Sequence, residues 1–236
     1  MAQKRISRAR KRDLEQPDEF LTLTSRLLDK IRTYWKPVSA GFGILMIILA
    51  GILAFGYFSQ KAEAKAFVLL NETMQRYAVE SVKQDPQKAL EAVTPDFENL
   101  FSTYGNRQAG MVGRLIFAQM NYQAGQMENA ILQYMEAVKM FPEASYALSA
   151  AWSGLGYAQA AAGQDENAIN AFKKTADGQD AVLQADALYQ LALLYRKIGQ
   201  EAEYDKTVAS LKEKFPGFMY AEMLPQSAGS LRRWRK

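Results

Sequence analysis

Residues 152–172 read WSGLGYAQAAAGQDENAINAF. Trp152, Leu155 and Gly156 share one helical face, and beyond Gly163 the residues Ala168, Ile169 and Phe172 share another. A 3.6-residue period on each side of a glycine predicts two short helices joined by a tight turn. Gly163 suits that turn, because glycine enters the left-handed region without steric cost and so ends the first helix. The same layout recurs on either side. Upstream stand Tyr122, Gly125, Ala130, Ile131, Tyr134, Ala137 and Pro142; downstream stand Leu188, Leu191, Ala192, Tyr195, Gly199, Val208, Leu211 and Pro216. Gly125, Gly163 and Gly199 are 38 and 36 residues apart. Self-similarity at that period marks stacked helical hairpins, each burying a face against the next.

Trp152-x2-Leu155-Gly156 followed by Ala168-x3-Phe172 resembles the tetratricopeptide repeat, whose signature is W-x2-L-G-x2-Y, A-x3-F and P. Ala130-x3-Tyr134 with Pro142 matches the second half in the first repeat, and Ala192-x2-Tyr195 with Pro216 matches in the third. There are departures. Asn121 and Gln159 occupy the usual tyrosine position, Thr175 replaces an alanine, and Tyr204 stands where a small residue belongs. Small residues (Ala118, Gly156, Ala192) let neighbouring helices approach, Tyr134 and Phe172 fill the space beyond, and Pro142 and Pro216 stop the second helices. These residues specify a fold and not a site. Upstream, 60–82 reads as a helix, with further turns at 87–93 and 96–104 broken by Thr94-Pro95. The fold class expected is all-α: a helical-hairpin solenoid of the tetratricopeptide type, right-handed, with about eight helices.

Pro37 to Gln60 contain no charged residue. A run of that length spans a hydrocarbon core of about 30 Å. Trp35 and Lys36 precede it and Tyr57 stands near its far end, at headgroup level, and Phe42, Ile47 and Leu53 lie in its apolar centre. The run is too long, and begins too far from the N-terminus, for a secretory signal, so one transmembrane helix is expected. Residues 1–36 carry ten basic and five acidic groups, which by the positive-inside rule puts the N-terminus in the cytoplasm. The organisation expected is a basic cytoplasmic segment (1–36), a transmembrane helix (37–58), capping helices (59–107), repeats (108–225) and a basic tail (226–236). Within the first segment, Pro17-Asp18-Glu19 starts a helix whose stripe Phe20, Leu23, Leu27, Leu28, Ile31 and Tyr34 suits the interface with anionic lipid. The formal charge of +4 therefore belongs to the stub, which carries +5, and the remainder is close to neutral. Nucleic acid is not an expected partner.

The chain has no cysteine and no histidine. That excludes thiolate and imidazole catalysis and the usual zinc, haem and iron–sulfur ligand sets. The acid pairs Asp96/Glu98 and Asp165/Glu166 sit where helices start, a structural position for carboxylates. No catalytic residue, metal or cofactor is expected, and the chain is not expected to be an enzyme. Binding falls instead to the inner face of the first helices of each hairpin. Gln119 and Tyr122 lie there in repeat one, Tyr157 in repeat two, and Tyr189, Arg196 and Lys197 in repeat three. Leu115 and Gln119 replace the Lys and Asn of a carboxylate clamp, so an apolar or unfolded segment is the expected ligand.

A basic stub, one membrane helix and extracytoplasmic repeats together resemble the bacterial ancillary subunit family of the Sec translocon. That resemblance implies a single-pass inner-membrane protein with a periplasmic domain that contacts translocating chains and chaperones. The alternative is a structural subunit of a secretion, pilus or cell-wall assembly with one fixed partner.

Overall fold

The computed structural model describes residues 24–224, except 26, 27, 31, 33, 84 and 144. The basic run at 4–12, most of the amphipathic stripe (Phe20, Leu23, Leu27 and Ile31) and the tail at 226–236 lie outside the described residues. Among the described residues all regular structure is helical. From Trp35 onward the α-helices are α1 (Trp35–Lys83), α2 (Pro86–Tyr104), α3 (Gln108–Gln123), α4 (Met127–Met140), α5 (Tyr146–Ala161), α6 (Asp165–Ala176), α7 (Ala181–Lys197) and α8 (Glu201–Lys214). A 3₁₀ turn follows at Met219–Met223. The chain divides into two compact units, residues 1–60 and 61–236.

In the first unit, the part of α1 around residues 42–55 is apolar on every face and solvent-exposed throughout, with Ile47 at 74% and Phe55 at 76%. It is long and apolar enough to cross a membrane.

In the second unit three cores follow one another along the stack. The first joins Ala66 and Leu70 of α1 to Leu90, Val93, Phe97 and Leu100 of α2 and to Phe117 and Met120 of α3. The second centres on Tyr134, Leu155 and Ala158, and the third on Phe172, Leu191, Tyr195, Tyr204 and Leu211. Burying a side chain of Leu or Phe size stabilises by about 1.5–3 kcal/mol, so the stack is held by many small contributions between neighbours.

One expectation is corrected here. Thr94-Pro95 does not break the capping segment, because α2 runs unbroken through Pro95. Proline removes one helical donor, but Leu90, Val93, Phe97 and Leu100 recur at helical spacing and are all buried. That packing outweighs the lost bond, and Thr94 Oγ1 adds a bond to the carbonyl of Leu90 at 2.9 Å. The start of α3 is held across helices. Arg107, its N-cap, makes no capping bond with its side chain, and Glu63 Oε1 from α1 accepts instead from the amide of Ala109 at 2.9 Å.

The three turns are alike in atomic detail. Gly125, Gly163 and Gly199 have φ of +77°, +76° and +77°. Each glycine amide bonds a carbonyl three residues back, and the following glutamine amide bonds one five residues back. That is the Schellman arrangement at three consecutive hairpins.

Candidate functional site

The first helices of successive hairpins, α3, α5 and α7, share a groove of about 540 Å³. Leu115, Gln119 and Tyr122 come from α3, Ser153 and Tyr157 from α5, and Leu183 from the first turn of α7. The groove is predominantly apolar with a few placed polar groups, the usual composition of a recognition cleft.

Two tyrosines set its polar geometry. Tyr157 OH donates to Asp186 Oδ2 at 2.6 Å and accepts from Gln190 Nε2 at 3.0 Å, so α5 is tied to α7 at the groove floor. Its ring stands edge-on to Phe172 at 5.2 Å. Tyr134 reaches in from α4, and its hydroxyl donates to Gln119 Oε1 at 2.8 Å. Both phenols are pushed above their ordinary pKa by burial, Tyr157 also by its bond to Asp186. They are therefore neutral hydrogen-bonding groups at physiological pH.

The space for those rings is made by two glycines of α5. A Cβ at Gly154 would stand 2.3 Å from Cε1 and Cζ of Tyr134, and one at Gly156 would stand 2.9 Å from the ring of Phe172. Gly156 is part of the repeat signature. Gly154 is not, and no spacing rule marks it.

Of the residues expected to bind, Gln119, Tyr122 and Tyr157 converge on the groove. Tyr189 lies apart, among the rings of Phe218 and Tyr220 at 6.1 and 5.9 Å. Lys197 Nζ pairs with Asp165 Oδ1 at 2.7 Å, across to the start of α6, and the exposed Arg196 shares the last turn of α7. Sequence reasoning missed Tyr134 and Leu183, which come from a second helix and from the first turn of α7. Of the two acid pairs only Asp165/Glu166 stands at a helix start; because α2 runs unbroken through Pro95, Asp96 and Glu98 lie in its interior and not at the start expected for them. Asp96 binds Arg76 at 2.9 Å, and Asp165 opens α6.

The sequence profile of the tetratricopeptide repeat-like domain matches residues 31–186, which takes in the exposed apolar part of α1 as well as α2 to α6. No curated protein matches. Among solved structures the chain is similar in fold to the crystal structure of MamA protein, at 20% identity and TM-score 0.51, over 65% of this chain and 76% of that one. It is also similar to a tetratricopeptide repeat protein from Parabacteroides merdae, at 12% identity and TM-score 0.53, over 66% of this chain. It spans 57% of that second protein's length. With hairpins, turns and a profile covering most of the chain in agreement, the protein belongs to the tetratricopeptide repeat-like family.

Proposed function

We propose that this protein is a membrane-anchored scaffold whose repeat groove takes apolar segments of other proteins outside the cytoplasm. The carrying observation is the exposed apolar part of α1, every face of which faces solvent, in the same chain as a family scaffold of the protein-binding kind. In water such a helix is an unmet hydrophobic surface; in a bilayer it is at equilibrium. Trp35 and Lys36 stand at one interface and Tyr57 at the other, with Phe42, Ile47 and Leu53 in hydrocarbon. The basic stub keeps the N-terminus cytoplasmic beside anionic lipid, and the repeats lie in the periplasm of a bacterial inner membrane. By resemblance to the ancillary Sec translocon subunits, the ligand is a translocating chain or its chaperone.

The absence of cysteine makes topology directly testable. With Gln3→Cys and Ala161→Cys introduced singly, a membrane-impermeant maleimide should label only Ala161→Cys in intact spheroplasts. Labelling of Gln3→Cys alone would overturn the orientation. A photocrosslinker at Tyr157 should then capture many unfolded clients, whereas one stoichiometric partner would favour the fixed subunit of an envelope assembly.

A further inference from the structure

Four residues before each turn glycine stand Asn121, Gln159 and Tyr195. In the third repeat Tyr195 is buried, with Lys173 Nζ 5.9 Å from its ring centroid. The first two repeats lack that ring. At each of those positions a cavity opens between successive second helices, about 520 Å³ at Asn121 and about 450 Å³ at Gln159. At 100° per residue, Trp152, Leu155 and Gln159 lie on the side of α5 opposite Ser153 and Tyr157, so this face is distinct from the groove.

The two cavities differ in chemistry. Asn121 Nδ2 donates to the carbonyl of Phe117 at 2.7 Å, and the acids Glu91 and Glu98 border that cavity. Gln159 is 8% exposed, and its Oε1 is buried without a hydrogen-bond partner among the described residues. A buried acceptor left unpaired is costly and calls for an explanation. Around it, Val138, Trp152, Leu155 and Ala171 form an apolar wall, and Lys139 and Lys174 stand at the mouth. Lys139 is bound to Glu136 at 2.7 Å, whereas Lys174 has no carboxylate partner among the described residues.

We propose that the pocket over Gln159 takes a tyrosine side chain from an acidic segment of a partner protein. The ring fills the volume that the repeat's own tyrosine leaves vacant. Its hydroxyl donates to Gln159 Oε1 once the amide swings into the cavity it borders, and flanking carboxylates reach Lys174 and Lys139. The chain's own tail, with Arg232, Arg233, Arg235 and Lys236, carries the wrong charge for this mouth.

The test uses the full chain in nanodiscs and a fluorescent acidic peptide with one tyrosine between aspartates, titrated by anisotropy. Replacing that tyrosine with phenylalanine should weaken binding about three- to tenfold, as expected for one neutral hydrogen bond. A lysine-flanked tyrosine peptide should not bind. Gln159→Tyr, which restores the family residue, should abolish binding while leaving the helical circular dichroism intact. Gln159→Leu keeps the apolar body without the acceptor, and should bind the tyrosine and phenylalanine peptides equally. The double variant Lys139→Glu with Lys174→Glu should weaken the acidic peptide about tenfold. The proposal is overturned if the acidic peptide does not bind, or if folded Gln159→Tyr and Gln159→Leu both bind it as the parent does. It also fails if light scattering finds a dimer that the lysine reversals dissociate, since the occupant would then be a second copy. Tighter peptide binding after deletion of 226–236 would identify the tail as the occupant and overturn the proposal as well.

Discussion

Gly154→Ala puts the packing of α4 against α5 to a quantitative test. On an exposed helix the change would stabilise by about 1 kcal/mol, because alanine is the better helix former. Here the new methyl would stand 2.3 Å from two ring atoms of Tyr134 and 2.7 Å from its hydroxyl. Tyr134 is 2% exposed and its hydroxyl is bonded to Gln119, so its ring can yield to the methyl only by giving up that packing. Forcing a methyl into a filled core costs about 1–3 kcal/mol. Displacing the ring also breaks its 2.8 Å bond to Gln119, worth about 1 kcal/mol. The penalties outweigh the propensity gain, leaving a net destabilisation of about 1–3 kcal/mol. For a domain of this size that lowers the melting temperature by roughly 2–12 °C. Calorimetry on the full chain in detergent gives the number. Pairing Gly154→Ala with Tyr134→Leu, which removes the ring, should recover part of the loss relative to additivity. Gly156→Ala should cost less, since its methyl would stand 2.9 Å from Phe172. A Gly154→Ala protein that melts above the parent would refute the close approach itself.

Glu63→Ala should lower stability by about 1 kcal/mol through loss of the cap on α3, and Glu63→Gln, which keeps an acceptor oxygen, should retain most of it; thermal melts distinguish them. Pro95→Ala supplies the missing amide at an exposed position in the interior of α2 and should stabilise by about 1–3 kcal/mol, read from urea unfolding. Tyr134 and Tyr157 have folded pKa values above the ordinary phenol value of 10.0, so their protonated forms favour the fold. That stability is complete below about pH 10 and is lost as pH rises from there through the folded values, so Tyr134→Phe and Tyr157→Phe should flatten the alkaline fall in melting temperature.

The hairpins were legible because their signals are local. Gly125, Gly163 and Gly199 each sit where a left-handed residue is required, and proline follows α4 and α8 within two residues. Pro95 shows where local rules stop. A breaker in the sequence is outweighed by four buried side chains on the same face, and their burial depends on α1 and α3 being present. The groove was half legible for a similar reason. Helical periodicity placed Gln119, Tyr122 and Tyr157 on the face that lines the groove, but it carries no information on height along the stack. Arg196 and Lys197 share a helix with Leu183, yet they stand at its last turn while the groove meets its first. Tyr134 enters because Gly154 makes room for it, a contact between two helices that no single-helix pattern encodes.

Asn121, Gln159 and Tyr195 hold the same place in three superimposable turns, and the hydrogen bonds explain how they can differ. Each contributes its carbonyl to the turn, accepting from Gln126, Gln164 or Gln200 at 2.8–2.9 Å. That bond uses the backbone alone, so the turn closes whatever the side chain is. The side chain is then constrained only by the space between consecutive second helices. Tyrosine fills that space and adds core; asparagine or glutamine leaves it open and keeps the helix spacing, which α5 and its neighbours already set through Leu155, Ala158 and Phe172. A position whose backbone is fixed and whose side chain is free is where a repeat protein can acquire a pocket at the least cost to its fold. Melting data on Gln159→Tyr bear on this directly. If the space is empty, a ring there should raise stability by roughly 1–3 kcal/mol, the burial value of a large side chain. A fall of similar size would mean that the helices already close over Gln159 and that the turn and the pocket are not independent.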